Sequence, residues 1–257
     1  MNIMKIILAI LFSFSFLYRS FFAYSPTVNS TSYVTNFTQY DTIKANNVPL
    51  YNYVLAVTYG KDYCVTDGIT CSTPIDLKRS TFHGLWPNAI TTTPPQKPQK
   101  PTTTLEYCDP NSVLQPSDIA SIITHLRVQW PDLSWYKHSG KYERFWNFEW
   151  RKHGTGSAFD KLSYFKRTME LNRLVDASYI LYHLPPGNNN WYNVADIERI
   201  HTDTNFPIPY IVCTTPGRRQ VLTELYYCFD PTATHLHDCS NYYSINTNCK
   251  GNFRILP

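Results

Sequence analysis

The chain carries a carboxylate, an ammonium and an imidazole within five positions, at Glu149, Lys152 and His153. Residues three and four apart share one face of a helix, so a helix from Phe145 to His153 would bring these side chains together. An acid, a permanent cation and a group that titrates near neutral pH suit proton transfer beside a negative charge. A solvated, salt-bridged turn is the alternative interpretation of the same residues.

A second segment favours the catalytic interpretation. The sequence FHGLWPN, at residues 82–88, supplies another imidazole, His83, beside Gly84, Trp86 and Pro87. Two imidazoles can act as the acid and the base of one reaction at ordinary pH. The two segments together predict a two-histidine site with an aromatic wall, whereas a lone histidine would be interpreted as a buried structural residue.

Residue patterns assign these segments to secondary structure. Runs of β-forming residues predict strands at 50–58, 81–86, 208–213 and 220–229, with His83 at the end of the second strand. Helical spacing of apolar residues predicts helices at 117–130, 145–153, 157–177 and 193–201. Ser117 is the expected N-cap of the first helix, and Leu174 is expected on the inward face of the third.

Length and composition indicate a single globular domain. The 257 residues are 43% apolar and 16% charged, which allows a substantial core and argues against bulk disorder. The 20 Tyr against 9 Gly favour an aromatic-rich mixed α and β protein, and no GxGxxG or P-loop pattern is present. The formal charge of +4 permits a polyanionic substrate without identifying one.

The N-terminus predicts a secreted protein. Lys5 precedes an apolar run from residue 6 to residue 17, which has the length of a signal-peptide core. We assign residues 1–25 to a signal peptide whose cleavage point stays open. An uncleaved membrane anchor is the alternative, and Arg19 disfavours it because it interrupts the apolar character of the segment.

The remainder of the chain divides into a leader and a domain. Residues 26–48 form a polar leader with two N-glycosylation triplets, at Asn29 and Asn36. Residues 49–257 form one domain, and the low-complexity segment at 91–104 is a Pro-rich insertion within it.

Seven cysteines in a secreted chain indicate a disulfide framework with one thiol left over. There is no CxxC pair, so a zinc site is disfavoured, and we expect neither a metal nor a cofactor. Residues 64–71 read as a short polar loop between two of the cysteines.

FHGLWPN and FWNFEWRKHGTGS, the latter at residues 145–157, resemble the two active-site segments of the ribonuclease T2 family. That family includes the plant S-like ribonucleases and the self-incompatibility S-RNases, and ELYYCFD at 224–230 resembles it as well. The resemblance implies an α+β fold with a central antiparallel sheet and flanking helices. It also implies metal-independent cleavage of single-stranded RNA through a 2′,3′-cyclic phosphate.

The resemblance assigns roles to the four residues of the two-histidine site. It implies that His153 is the base, that His83 is the acid and that Lys152 stabilises the negatively charged phosphorane. Glu149 would orient the histidines, hold their charged forms or share in proton transfer.

Four further residues are candidates for substrate binding by the same resemblance. Trp86 would stack on a base, Asn88 would read a base edge, and Phe145 would line the second base pocket. Phe148 stands where the family commonly has a histidine that contacts the phosphate, so a polar group is lost there.

The resemblance also implies a disulfide pairing: Cys64–Cys71, Cys213–Cys249 and Cys228–Cys239. Gly156 occupies the position of a family cysteine whose usual partner corresponds to Cys108. We therefore expect Cys108 to be the unpaired thiol.

The expected partner is single-stranded RNA, bound by a secreted monomer without stable membrane association. The pI of 8.6 favours the S-RNase branch, in which a recognition protein would be a further partner. A nutritional, senescence or defence ribonuclease is the alternative. The rival from another class is a catalytically weakened or inactive RNA-binding protein on the same fold, for which Phe148 and Gly156 argue.

Overall fold

The computed structural model describes residues 50–66, 80–89, 103–133, 141–175, 177–217, 219–241 and 247–257. All of them belong to one compact unit, residues 41–257. The expected signal peptide, the leader with Asn29 and Asn36, most of the Pro-rich insertion and Cys71 lie outside the described residues.

An antiparallel sheet forms the centre of the fold. Its strands are β1 (Leu50–Tyr59), β2 (Ser80–Ala89), β3 (Thr103–Thr104), β4 (Tyr210–Thr214), β5 (Val221–Phe229) and β6 (Leu236–His237). The order is β3–β2–β1–β5–β4, and β6 pairs with β5. The central strand β1 is buried from Asn52 to Tyr59, which explains why both of its alternating residue sets are β-forming.

Helices flank this sheet. They are α1 (Gly60–Thr66), α2 (Ile123–Gln129), α3 (Tyr142–Lys152), α4 (Lys161–Val175), α5 (Ser178–His183) and α6 (Val194–Asp203). Short 3₁₀ turns lie at Pro116–Ile119, Gly154–Gly156 and Cys239–Asn241. The expected α+β class is therefore confirmed. Within the described stretches, no helix is both long and apolar enough to cross a bilayer.

Buried aromatic residues hold the helices against β2, the strand that carries His83. The indole Nε1 of Trp130 donates to the carbonyl of His83 over 3.0 Å, and Trp146 Nε1 donates to the Trp130 carbonyl over 2.8 Å. The hydroxyl of Tyr164 donates to the Leu85 carbonyl over 2.9 Å. These bonds fix α3 and α4 relative to the backbone around His83.

The helix expected at 117–130 is wrong as a single element. The structure has a 3₁₀ turn, a break at residues 120–122 and then α2. The β-branched residues Ile122 and Ile123 lie at the break, where they weaken a continuous helix. The expected Ser117 cap is also wrong, because the turn begins at Pro116 and Gln115 is its N-cap. The carboxylate of Asp118 accepts from the backbone N–H of Gln115 over 2.8 Å.

Other expectations need smaller corrections. Leu174 is exposed rather than inward, because the buried stripe of α4 runs through Tyr164, Thr168, Leu171 and Val175. His83 lies inside β2 and not at its end, since pairing with β1 extends the strand to residue 89. Helices α1 and α5 were not predicted, and α1 includes the start of the expected 64–71 loop.

Disulfides hold the C-terminal part of the chain to the sheet. Cys213 is bonded to Cys249, and Cys228 is bonded to Cys239. Both are pairs that the resemblance implies. Cys64 is disulfide-bonded as well, and Cys108 is a free thiol.

Candidate active site

Helix α3 presents Glu149 and Lys152 to the site, and His153 caps its C-terminal end. The backbone N–H of His153 donates to the carbonyl of Glu149 over 2.9 Å, so the two residues lie one turn apart on the same face. Both are withdrawn from solvent: Glu149 is 1% exposed and His153 is 3% exposed. The sequence prediction of a helix through this segment is confirmed.

Strand β2 supplies His83 and Trp86, and the indole of Trp86 contacts both imidazoles. Its ring centroid lies 5.1 Å from that of His83 and 5.3 Å from that of His153. The structure therefore brings together the two histidines that the sequence places in separate segments. A third ring contact, edge-on with centroids 5.1 Å apart, joins Trp86 to Tyr226 of β5.

Gly84 leaves the space that the Glu149 carboxylate occupies. A Cβ atom at this position would lie 2.4 Å from Oε2 of Glu149 and 2.6 Å from Nε1 of Trp86. Nδ1 of His153 is buried too and has no hydrogen-bond partner among the described residues, which is typical of a site that receives a polar ligand. Within the described residues, no group of three or more His, Cys, Asp or Glu side chains could hold a metal ion.

Lys152 lies between a carboxylate and an aromatic ring. Its Nζ is 3.4 Å from Oε1 of Glu106 and 5.7 Å from the centroid of the Phe148 ring. Tyr107, whose φ of 51° is left-handed, donates its backbone N–H to the carbonyl of Lys152 over 2.8 Å. This bond holds the Glu106 loop against the end of α3.

Glu224 on β5 is the site residue that sequence reasoning missed. Nδ1 of His83 lies 2.6 Å from its Oε1, and the residue is 6% exposed. Thr58 Oγ1 donates to Oε1 over 3.0 Å, and the hydroxyl of Tyr226 donates to Oε2 over 2.9 Å. An acidic residue inside the apolar strand VLTELYYCF was the available indication, because an ionised carboxyl is rarely buried without partners.

The surroundings of His83 favour its charged form. Burial opposes the imidazolium, but the hydrogen bond to Glu224 and the negative charges of Glu224 and Glu149 outweigh that effect. The pKa of His83 is raised to about 9. In turn, burial opposes the charged form of Glu224, but the bonds from His83, Tyr226 and Thr58 keep the pKa of that carboxyl below its usual value.

The other two groups shift towards their neutral forms. Burial, with the positive charges of Lys152 and His83, lowers the pKa of His153 to about 3. Burial raises the pKa of Glu149 to about 7, although His83 and Lys152 oppose the shift. At neutral pH the site therefore holds one charged and one neutral imidazole.

An open cavity of about 430 Å³ adjoins His83 and Glu149. Its wall includes Phe82, Phe145 and Phe148, and Phe148 is 47% exposed. Two of the expected substrate-binding residues, Phe145 and Phe148, are thus placed at the cleft. Aromatic faces next to an imidazole suit a flat ligand that stacks.

Two of the expected base contacts are placed differently. Asn88 is buried, and its Nδ2 donates to Oδ1 of Asn52 over 3.1 Å, because the two residues are register partners in β2 and β1. Its amide nitrogen is engaged inside the sheet, and the interpretation of Asn88 as a base-reading group stays a prediction. Trp86 is packed by both histidines and Tyr226, so its ring acts at least partly as the internal wall of the site.

Comparison with known proteins places this geometry in a family. The profile of the Ribonuclease T2 family matches residues 51–239. Extracellular ribonuclease LE of Solanum lycopersicum is 30% identical over 187 residues, covering 69% of this chain and 75% of the tomato protein. Intracellular ribonuclease LX of the same plant is 29% identical over 183 residues, covering 69% of this chain and 72% of the relative.

Solved structures share the fold. RNase NT, crystallised with 5′-AMP, superposes with a TM-score of 0.67 at 24% identity, covering 81% of this chain and 99% of that one. Human RNase T2 superposes with a TM-score of 0.55 at 25% identity, covering 74% of this chain and 90% of that one. The family match spans both histidine segments and most of the chain, so this protein belongs to the ribonuclease T2 family and is an enzyme of that type.

Proposed function

We propose that this protein cleaves single-stranded RNA by metal-independent transphosphorylation. The ribose 2′-oxygen attacks the adjacent phosphorus while the 5′-oxygen leaves, which yields a 2′,3′-cyclic phosphate that water then opens to a 3′-phosphate. His153 takes the 2′-proton, and His83 gives a proton to the leaving 5′-oxygen. Lys152 stabilises the additional negative charge of the phosphorane.

The observation that carries this proposal is the opposite pKa shift of two imidazoles that contact one indole. With a pKa of about 9, His83 is charged at pH 7, and with a pKa of about 3, His153 is neutral. An acid must begin the reaction protonated and a base must begin it unprotonated. Environments that push the two pKa values apart therefore support the assignment of His83 as the acid and His153 as the base.

Glu149 is best placed to balance charge between the histidines. Its negative charge favours the imidazolium of His83, and its pKa of about 7 lets it exchange a proton near neutral pH. We propose that it holds the charged forms of the site and leaves the two transfers to the histidines.

The cavity beside His83 supports an unpaired strand as the substrate. Phe145 and Phe148 offer rings on which a base can stack once it is free of a duplex. Arg144 in the cavity wall and Lys152, whose Nζ lies 5.7 Å from the Phe148 ring, supply positive charge for the phosphate that accompanies the base.

The test is cleavage of a single-stranded RNA oligonucleotide in EDTA, with the products identified by mass. We expect 5′ fragments that end in a 2′,3′-cyclic phosphate. The same oligonucleotide with 2′-deoxyribose at the cleaved position should resist, because the nucleophile is absent. Cleavage that needs a divalent cation, or cleavage of the deoxy substrate, would contradict the mechanism.

Two variants test the residue assignment in the same assay. His83→Ala and His153→Ala should each lower kcat/KM by about 10²–10⁴-fold, the usual contribution of a general acid or base. His125→Ala is the control, because His125 is an exposed histidine of α2. Near-normal turnover by either site variant would show that the roles are misassigned.

An RNA-binding protein with little or no catalysis is the second candidate. Phe148 supplies no hydrogen bond at the cleft, and Lys152 is paired with Glu106. Binding of a labelled RNA strand without product, at any pH between 4 and 9, would favour this candidate. Cleavage that is lost in both histidine variants would exclude it.

We further propose that the protein is secreted and glycosylated at Asn29 and Asn36. The basis is Lys5 with the apolar run after it, and the two triplets in the polar leader. Its tomato relatives are named for opposite locations, so they do not decide this point. Expression of the full chain in plant cells should deliver a glycosidase-sensitive product to the medium, and retention in the cells would contradict secretion.

The proposed biological role is that of an S-RNase in self-incompatibility, with defence or nutrition as the alternative. The pI of 8.6 is the supporting observation. Transcript measurement across tissues distinguishes these roles, since an S-RNase would be confined to the pistil.

A further inference from the structure

We propose that Glu224 is the positioning residue of the acid histidine, holding Nδ1 of His83 so that Nε2 of the same ring serves the cleft. Nδ1 donates to Oε1 of Glu224 over 2.6 Å, and the ring lines the cavity. No hydrogen bond among the described residues engages Nε2. The proton given to the leaving oxygen therefore departs from Nε2. This inference rests on the proposed function and adds to it a residue of β5.

The Glu224 carboxylate is itself fixed by the sheet. Thr58 is its register partner on β1 and donates to Oε1, while Tyr226 donates to Oε2 from the same strand as Glu224. The Tyr226 ring is stacked on Tyr210 of β4, with centroids 5.9 Å apart and planes at 19°. Oε1 is therefore held from the neighbouring strand β1 and Oε2 from within β5, and the carboxylate passes this fixed orientation to His83.

The charge of Glu224 also decides the protonation state of His83. The titratable and charged groups that face His83 come from α1, the cavity wall, α3 and β5, namely Tyr63, Asp132, Arg144, Glu149, Lys152, His153, Glu224 and Tyr226. Burial and Lys152 disfavour the imidazolium, whereas the bond to Glu224 is the largest of the contributions that favour it. Removal of the Glu224 charge should therefore lower the pKa of His83.

The decisive variant is Glu224→Gln, which keeps an oxygen acceptor for Nδ1 but removes the charge. We expect the alkaline limb of kcat/KM to move from about 9 towards the ordinary histidine value of about 6.5. That shift lowers kcat/KM by about 30-fold at pH 8 but leaves it nearly unchanged at pH 5, where His83 is protonated in both the unmodified protein and the variant. Glu170→Gln, at an exposed carboxylate of α4, is the matched control and should leave the limb in place.

Glu224→Ala separates orientation from charge. Because it removes the acceptor as well, kcat/KM should also fall at pH 5, by about 10-fold or more. A residue that only stabilised the fold would lower activity by the same factor at every pH and would leave the alkaline limb at its original position. That outcome would overturn the proposal.

A readout without RNA keeps this test separate from that of the proposed function. The ring protons of His83, assigned in the NMR spectrum with His83→Ala, should titrate near 9 in the unmodified protein and near 6.5 in Glu224→Gln. If the protein does not cleave RNA but Glu224→Gln lowers the titration midpoint of His83, the proposed ribonuclease function fails and the role of Glu224 in holding His83 is supported. If Glu224→Gln does not fold, a midpoint of 6.5 or lower in the unmodified protein overturns the inference.

Discussion

At the scale of single residues, the neighbours of His83 and His153 give these two imidazoles opposite pKa shifts. His83 has a carboxylate at 2.6 Å, whereas Nδ1 of His153, beside Lys152, is buried with no hydrogen-bond partner in the part of the chain that the structure describes. Gly84 contributes by its missing Cβ, because any larger residue would displace the Glu149 carboxylate. The sequence could predict the residue types of the site, since they occur in two short segments.

Phe148→His should raise kcat/KM for RNA. The Phe148 ring lines the cleft and lies 5.7 Å from Lys152 Nζ, so an imidazole there would add a hydrogen-bond donor beside the lysine proposed to stabilise the phosphorane. One added hydrogen bond to a charged group is worth roughly 1.5–3 kcal/mol, or about 10-fold or more in rate if it is made in the transition state.

The control for this change is Phe148→Leu, which removes the ring without adding a donor and should not raise turnover. A fall or no change in Phe148→His would show that the cleft is organised around the aromatic ring.

At the scale of elements, prediction succeeded where the information is local. Helix α3 was predicted because its apolar spacing and its chemistry lie in one segment. The bond between His83 and Glu224 joins residues 141 positions apart, and it depends on β1 and β5 becoming neighbours. Periodicity along the chain carries no information on strand order, so this part of the site could not be predicted.

Gly156→Cys should form a bridge to Cys108 and stabilise the protein. A Cβ atom at Gly156 would lie 3.2 Å from Sγ of Cys108. This is close to the distance of about 3 Å between a Cβ and the far sulfur that an S–S bond of about 2.04 Å imposes. Closing a loop of some tens of residues contributes roughly 3–4 kcal/mol. Leu105, whose Cβ would lie 2.7 Å away, must shift and will reduce the gain.

Peptide mass mapping and thermal unfolding check this prediction, with Gly156→Ser as the control of similar size. The serine variant meets the same Leu105 contact without a bridge and should be destabilised. Loss of the free thiol at Cys108 with a raised Tm is the expected result for cysteine. Retention of the thiol would contradict the geometry.

At the scale of the whole molecule, the buried titratable groups make stability depend on pH. His83 has a folded pKa of about 9, so its stabilising contribution is complete below its unfolded value of about 6.5 and is lost as the pH rises through 9. Asp62, held in part by the backbone N–H of Leu256, has its pKa raised by burial to about 8. The pKa of Glu149 is raised to about 7. All three groups have a folded pKa above the unfolded one, so the contribution of each to the stability of the protein is lost as the pH rises.

The Tm should therefore fall between pH 6.5 and pH 9, by on the order of 10 °C. Thermal unfolding followed by circular dichroism measures this directly. Asp62→Asn should flatten the part of the decline below pH 8, because the amide does not titrate, whereas Glu170→Gln should not. A Tm that is constant or rises over this window would show that these groups titrate normally.

The central claim is that His83 is the acid and His153 is the base of a transphosphorylation, and a modified substrate tests it most directly. In an RNA oligonucleotide with sulfur in place of the 5′-bridging oxygen at the cleaved phosphate, the leaving thiolate needs no proton, since a thiol has a pKa of only about 8.5. His83→Ala should then regain most of the unmodified enzyme's cleavage rate on that substrate, while His153→Ala should stay inactive because the 2′-hydroxyl still needs a base. Rescue of His153→Ala instead, or equal deficits in both variants, would contradict the assignment.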